Sequence, residues 1–196
     1  PYGAADFGEC VTTASRISGT DLASWYREWF ATASRIHDLA AASAAAGHSV
    51  SARSAFFRAS NYFRTAGLFA MGSPLDARLV EAHRREVENF RAGAELLERP
   101  PLIVEIPYED TTLPGYFFPA ANDRTLRPTL ILVNGYDGTA EELYFTNGAA
   151  ALERGYNVLT FDGPGQGAMI IDSGVPFRPD WENVIIEEGL TYSVDG

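Results

Sequence analysis

The sequence has 196 residues, 46% of them hydrophobic and 12% aromatic, which is enough to build a core and excludes a disordered chain. Its fifteen basic residues are all arginine, and 26 acidic residues bring the net charge to −11. The absence of lysine excludes Schiff-base and pyridoxal chemistry and a phosphate-loop lysine. The acidic balance predicts that neither nucleic acid nor an anionic membrane is a partner.

The charge balance changes near residue 100. Residues 1–100 carry eleven acids and eleven arginines, whereas residues 101–196 carry fifteen acids and four arginines. This step predicts two segments, a helical region over 1–100 and an α/β region over 101–196. The lone Cys10 cannot form an internal disulfide, so we expect a cytoplasmic protein. The composition, rich in alanine and arginine, is typical of a GC-rich bacterial genome.

Three amphipathic helices are predicted in the first hundred residues. Apolar residues recur at steps of three and four between Leu22 and Leu39, with Thr20 or Asp21 as cap and Gly47 as stop. A second apolar stripe runs from residue 56 to 70. The third helix is expected to open at Ser73, the cap, followed by a proline, with Asp76 reaching back to that cap.

From residue 102 the pattern becomes that of strands. Short β-rich runs occupy 102–106 and 115–118, and the continuous apolar run 129–133 predicts a strand covered on both faces. A helix over 140–154 follows, with a capping box formed by Thr139 and Glu142, and then a strand over 157–161. This order predicts a βαβ unit with a parallel pair of strands. A further helix is expected from Trp181 to about Tyr192.

The loop 134–139 follows the first strand of that unit and leads into its helix. A turn with glycines before a helix can point backbone N–H groups outward, where they stabilise a developing oxyanion. A plain strand-to-helix turn with a good cap explains the same spacing more simply. Both interpretations stay open at this point.

The second loop, 162–168, has the sequence DGPGQGA and matches the G-x-G-x-x-A variant of the dinucleotide fingerprint. That fingerprint needs a long helix starting inside the motif and a strand ending at an acidic residue. Pro176 interrupts the helix, and the acids Glu187 and Glu188 lie in a stretch that is helical in pattern. A dinucleotide-binding domain is therefore kept only as the third interpretation.

The strings NGYDGTAEE (134–142) and GYNVLTFDGPGQGAM (155–169) resemble the α/β-hydrolase superfamily. More narrowly, they resemble helical-cap esterases of the fermentation-respiration-switch type and the 2,6-dihydroxypseudooxynicotine hydrolase group. The segment SAFFRASNYFRTAGLF (54–69) is similar to the arginine- and aromatic-rich cap helix of that group. The resemblance implies an N-terminal helical cap followed by the first strands of an α/β-hydrolase sheet.

The resemblance also implies roles for particular residues. The backbone N–H after the glycine of the first loop helps to bind the oxyanion in the family, which here corresponds to Tyr136, with Asp137 as the neighbouring possibility. Gly135, Tyr62, Phe63 and Phe69 are candidate substrate-binding residues, although core packing is the simpler interpretation of the aromatic side chains. A departure from the family is Asn134, where histidine is usual.

No serine lies in the G-x-S-x-G elbow that this fold requires, and the triad histidine must follow it. His37, His48 and His83 all precede the βαβ unit. We interpret His83 as lying on a core-facing stripe and His48 as a loop residue. We therefore expect the nucleophile, acid and histidine to lie beyond residue 196, and the 196-residue chain alone to be inactive.

Other clusters point to no site. There is no Cys-x-x-Cys and no His-Glu-x-x-His, so neither a metal nor a cofactor is expected. A solvated or capped pair is the interpretation for His83 and Glu86. The acid pairs that begin at Glu141 and at Glu187 are interpreted as surface charge, because adjacent residues on a helix point in different directions.

The leading hypothesis is a serine α/β-hydrolase acting on an ester, or on a carbon–carbon bond next to a ketone, of an apolar or aromatic small molecule. The alternative is a non-catalytic helical interaction module on a partial α/β support, and the third is a dinucleotide-binding domain. The expected partner is a small-molecule substrate, and a homodimer is possible.

Overall fold

The structure is a computed structural model that describes residues 3–72, 74–123 and 125–186. The helices are α1 (Phe7–Ala14), α2 (Leu22–Ala45), α3 (Ser49–Gly67), α4 (Ala77–Ala94), α5 (Ala140–Leu143), α6 (Ala149–Glu153), α7 (Gly167–Ile171) and α8 (Glu182–Ile186). The strands are β1 (Leu102–Tyr108), β2 (Thr111–Phe118), β3 (Thr129–Leu132) and β4 (Asn157–Phe161). They form one sheet in the order β1-β2-β4-β3, in which β3 and β4 are parallel and the other pairs antiparallel.

The βαβ unit and the helical first half are thus as predicted. Helix α2 begins after Asp21, whose carboxylate accepts a hydrogen bond from the Ala23 amide at 2.9 Å, and the chain leaves the helix at Gly47 with a φ of +77°. None of the described helices combines the length and apolar character needed to cross a bilayer.

The start of α4 differs from the prediction. Asp76 is itself the N-cap, in an extended conformation, and its carboxylate accepts from the Arg78 amide at 2.8 Å. Because a helix cannot run through an extended residue, α4 begins at Ala77 and not at the Ser-Pro pair, and the predicted role of Asp76 at the third position is wrong. Ser73 itself lies outside the described residues. The eight-residue helix α1 was not predicted, since it is too short to show a clear apolar stripe.

An aromatic cluster joins the helices to the sheet. Phe57 of α3 and Phe90 of α4 lie with ring centroids 5.7 Å apart, and Phe90 packs 5.1 Å from Tyr116 of β2. Tyr144 and Phe145, in a π-helical turn between α5 and α6, complete the cluster. The helical and α/β segments therefore share a core, and their division into two domains at residue 100 stays a prediction.

Strand β3 is less covered than predicted. Leu130 and Ile131 are 39% and 38% exposed, and of the four strand residues only Leu132 is buried. The reason is its position: β3 is the last strand of the sheet formed by the described residues, so only its β4 side is paired. In contrast, Val158–Phe161 of the central strand β4 are buried. The prediction of a strand covered on both faces is wrong for β3, whereas the strand predicted over 157–161 is present and buried.

The helix predicted over 140–154 is present but not uniform. It runs as α5, then a π-helical turn over Tyr144–Gly148, then α6. Such turns insert one residue into a helix and re-aim the side chains around it. The helix predicted from Trp181 is observed as α8, Glu182–Ile186, and its expected continuation lies outside the described residues.

The close approach of β2 and β4 requires glycine at position 115. A Cβ placed there would lie 2.4 Å from the Thr160 carbonyl oxygen and 2.9 Å from the Phe161 Cβ. We expect Gly115→Ala to lower the free energy of unfolding of the intact protein by about 1–3 kcal/mol, measured in urea. The matched control is Gly72→Ala, whose Cβ would meet nothing nearer than 3.7 Å. Equal stability of the two variants would contradict this packing.

Candidate functional site

The loop 134–139 leaves the carboxyl end of β3 and enters α5. Thr139 is the N-cap, and its Oγ1 accepts a hydrogen bond from the Glu142 amide at 3.3 Å, as the capping box predicts. Within the loop, the Gly138 amide donates to the Gly135 carbonyl at 3.2 Å. No group among the described residues accepts a hydrogen bond from the backbone amide of Tyr136 or Asp137. Of the six amides of loop 134–139, only that of Gly138 has an acceptor among the described residues, so the N–H groups of Tyr136 and Asp137 are unused, as are those of Asn134, Gly135 and Thr139.

Two side chains of the 162–167 turn form hydrogen bonds to the backbone at the two ends of this loop. The buried carboxylate of Asp162 accepts from the Ala140 amide at 2.7 Å and from the Ala168 amide at 2.9 Å. Gln166, also buried, donates from Nε2 to the Asn134 carbonyl at 2.5 Å. The two βα loops of the unit are thus bonded to each other by side chain–backbone contacts.

Two glycines allow these approaches. A Cβ on Gly138 would lie 2.4 Å from the Asn134 side chain, which folds over the loop and donates to the Thr139 carbonyl. A Cβ on Gly167 would lie 2.2 Å from the Asp162 carboxylate. Larger residues at these positions would displace the groups that hold the loop.

Side chains of helices α3 and α4 also form hydrogen bonds with this loop. Thr139 donates from its hydroxyl to Glu86 of α4 at 2.6 Å, and both groups are buried. Arg64 of α3 donates to the Asp137 carbonyl at 3.3 Å and forms an ion pair with Glu142 at 2.6 Å. Backbone that leaves the sheet is therefore positioned by side chains of the first hundred residues.

Glu141 is buried, 3% exposed, so its interpretation as surface charge is wrong. Its Oε1 accepts from the Tyr116 hydroxyl at 2.6 Å, and its Oε2 has no hydrogen-bond partner among the described residues. Burial, reinforced by the charge of Glu86, raises the pKa of Glu141. Glu142 lies nearer the surface, yet it too is paired, with Arg64. The pair beginning at Glu187 lies outside the described residues.

His83 and Glu86 also differ from the expectation of a solvated or capped pair. They are 2% and 3% exposed, with 3.6 Å between His83 Nδ1 and Glu86 Oε2. Burial alone would lower the pKa of His83, but the neighbouring carboxylates of Glu86, Glu141 and Asp162 raise it to about 9. The interpretation of His83 as core-facing is confirmed by its burial. The exposed His48 precedes α3.

A cavity of about 40 Å³ lies between the loop and the helices. Tyr136, Asp137 and Thr139 line one side of it, and His83, Glu86 and Arg64 line the other. The remaining wall is largely apolar: Leu68, Met71, Leu79, Ala82 and Ile171. Tyr136 is 68% exposed, so the cavity reaches the surface at this residue. A small apolar group with one polar end fits such surroundings.

The candidate substrate-binding residues identified from the sequence do not all lie at this cavity. Gly135 belongs to the loop, but Tyr62 and Phe63 are 1% and 0% exposed in the core between α2 and α3. The Tyr62 hydroxyl donates to Glu9 at 2.8 Å, and Phe69 packs against Trp25. These three aromatic side chains are not part of the cavity wall, and their contact with substrate stays a prediction. Sequence reasoning missed Glu86 and Arg64, because their partners lie more than 50 residues away.

The 162–168 turn does not resemble a dinucleotide cradle. Its amides are used internally: Gly165 donates to the Val175 carbonyl, Gln166 to the Gly163 carbonyl, and Gly163 to the Gln166 side chain. The helix that follows, α7, has five residues, whereas the fingerprint needs a long one. The turn closes on itself and supports the neighbouring loop.

No protein-family model matches this chain. Its curated relatives are nevertheless hydrolases. It is 40% identical over 198 residues to hydrolase acrC of Aspergillus aculeatus, covering 94% of this chain and 46% of that protein. It is 41% identical over 189 residues to 20-hydroxy-prefusarin hydrolase FUS2 of Gibberella moniliformis, covering 94% and 45%. The chain spans about half the length of the curated relatives it matches.

A solved structure shows the same arrangement. The crystal structure of 2,6-dihydroxy-pseudo-oxynicotine hydrolase matches with a TM-score of 0.77 and 26% identity, over 94% of this chain and 49% of that one. Together with the sheet order, these similarities confirm the predicted relationship to the α/β-hydrolase superfamily and to this type within it. The two curated relatives named above are fungal, which gives no support to the expected bacterial origin.

The bond between Glu86 and Thr139 can be tested by removing its donor. Thr139→Val leaves a buried carboxylate without that hydrogen bond and removes the cap of α5, so we expect about 1–3 kcal/mol lower stability of the intact protein in urea unfolding. Thr139→Ser keeps the hydroxyl and is the matched control, expected within about 1 kcal/mol of the parent. If the valine variant were as stable as the serine variant, the bond would not hold the loop.

Proposed function

We propose that the protein to which these residues belong is a serine hydrolase of the α/β type, with loop 134–139 as part of its oxyanion hole. The observation that carries the proposal is a loop at the carboxyl end of a strand in a parallel pair whose amides, including those of Tyr136 and Asp137, are unused except for that of Gly138. Open α/β sheets bind ligands at that end. The named hydrolase relatives support the same function.

In the proposed reaction a serine hydroxyl attacks the substrate carbonyl while a histidine takes its proton. The carbonyl oxygen becomes an oxyanion, which the Tyr136 amide, with Asp137 as its neighbour, stabilises by hydrogen bonding. Each such donor accelerates acyl transfer by about 10² to 10³-fold. The serine, acid and histidine would come from polypeptide other than residues 1–196, which contain no Gly-x-Ser-x-Gly.

We further propose that the substrate is an apolar or aromatic small molecule, cleaved at an ester or at a carbon–carbon bond next to a ketone. The apolar wall formed by Leu68, Met71 and Leu79 supports this class. Two relatives are named for hydroxylated compounds, 20-hydroxy-prefusarin and 2,6-dihydroxy-pseudo-oxynicotine. The edge of β3 that faces away from β4 is unpaired among the described residues, which supports a sheet that continues beyond this strand. The free Cys10 is compatible with a cytoplasmic site of action.

The nucleophile can be detected directly. We expect a fluorophosphonate probe to label one serine of the intact protein, identified by mass spectrometry of its peptides, and p-nitrophenyl esters to be turned over. A polypeptide limited to residues 1–196 should take up no label, which is the matched control. An intact protein that neither takes up the probe nor cleaves the ester would favour the non-catalytic interaction module.

The role of the amide can be separated from that of the side chain. Tyr136→Pro removes the N–H, and we expect kcat for p-nitrophenyl acetate to fall by about 10² to 10³-fold. Tyr136→Phe keeps the N–H and removes only the exposed hydroxyl, so its kcat should stay within about twofold. Circular dichroism and the melting temperature check that both variants fold. Equal kcat in the two folded variants would remove Tyr136 from the oxyanion hole.

A further inference from the structure

Two buried side chains on the wall of the cavity, His83 and Arg64, have hydrogen-bond donors that lack a partner among the described residues. Both ring nitrogens of His83 are unbonded, although the side chain is 2% exposed. The Nε of Arg64 is likewise buried and unbonded, while its Nη2 serves Asp137 and Glu142. An unsatisfied buried donor destabilises a fold, so three such atoms on one small cavity require an explanation.

The lining of the cavity shows what would satisfy them. His83 lies on α4 and Arg64 on α3, and both face a space of about 40 Å³ that also contacts Tyr136 and Asp137. That space holds one or two waters or one oxygen-bearing group of a ligand. From the residues that surround it, we infer that His83 and Arg64 bind an acceptor oxygen of the substrate, a carbonyl or an ionised carboxyl or hydroxyl group.

The protonation state of His83 agrees with a donor role. Its pKa of about 9 keeps the imidazole charged near neutral pH, so both ring nitrogens carry protons. Glu86 lies 3.6 Å from Nδ1 and Asp172 lies 3.8 Å from Nε2, distances too long for hydrogen bonds. The carboxylates of Glu86, Glu141 and Asp162 stabilise the charge, while neither ring nitrogen has an acceptor within hydrogen-bond distance among the described residues. Arginine is always charged and has no acceptor, so both groups select an acceptor oxygen.

This inference deepens the proposed function, because it treats the cavity as the substrate cavity and assigns its polar end. It explains why an otherwise apolar wall carries two cations, each next to a carboxylate: Arg64 beside Glu142 and His83 beside Glu86. The paired carboxylates keep the free cavity close to neutral. A neutral carbonyl or a singly charged oxygen therefore enters without a large net charge to overcome.

The Hε1 signals of His37, His48 and His83 can be followed by NMR in the intact protein, because each disappears in its own variant, His37→Gln, His48→Gln or His83→Gln, and is thereby distinguished from the signals of the other histidines. The probes are acetophenone, benzoate and ethylbenzene, in which ethylbenzene has the carbon skeleton of acetophenone without its oxygen. We expect acetophenone and benzoate to shift the His83 signal and leave that of the exposed His48 in place. Ethylbenzene should bind more weakly and shift it little.

The variants give the size of the effect. His83→Phe and Arg64→Met remove donors at similar volume, and we expect each to weaken acetophenone binding about five- to tenfold while ethylbenzene binding stays within twofold. His83→Gln, which keeps a donor, should lie between, and His48→Gln should equal the parent. If a variant does not fold, the titration of the parent protein still decides.

The outcomes separate this inference from the proposed function. The inference is overturned if none of the three probes shifts the His83 signal, or if acetophenone and ethylbenzene bind with equal affinity. The cavity then holds water only. If the fluorophosphonate labels the protein but no probe shifts the His83 signal, the proposed hydrolase function stands and only the binding role of His83 and Arg64 is contradicted. If acetophenone and benzoate shift the His83 signal but the fluorophosphonate labels no serine, the binding site is supported and the proposed hydrolase function is contradicted.

Discussion

The geometry of the site depends on a buried polar seam between helix α4 and the two βα loops. Glu86 accepts from the Thr139 hydroxyl, and Asp162 accepts from the Ala140 amide one residue further along. Both acceptors are buried, so water does not compete for either hydrogen bond. Leaving either donor unpaired would lower the stability of the fold. The beginning of α5 is consequently fixed from the helical side and from the sheet side at once.

This seam couples two parts of the chain that the charge distribution separates. The aromatic cluster around Phe57, Phe90 and Tyr116 supplies non-directional apolar burial between helices and sheet. The polar bonds of Arg64 and Glu86 then set the orientation, since hydrogen bonds require defined distances and angles. Through these two bonds α3 and α4 contact residues 137 and 139 of the loop directly.

Burial of so many ionisable groups gives the site unusual electrostatics. Burial and the charge of Glu141 raise the pKa of Asp162 to about 8, although two backbone amides stabilise its carboxylate. The same carboxylates raise the pKa of His83. Perturbed groups gathered around one cavity are typical of functional sites, although buried ion-pair networks in structural positions produce them as well. Here the unpaired donors on that cavity, at His83 and Arg64, favour a functional interpretation.

The sequence by itself determined what is local: the stripe and Asp21 cap of α2, the Thr139 capping box, the βαβ unit and the two loops that meet at its carboxyl end. These features depend on residues a few positions apart. The tertiary structure alone decided the burial of Glu141 and the pairing of Glu86 with Thr139. A charged residue on an amphipathic helix has the same spacing whether it faces water or a partner 53 residues away. Only the packing of α4 against the sheet distinguishes the two.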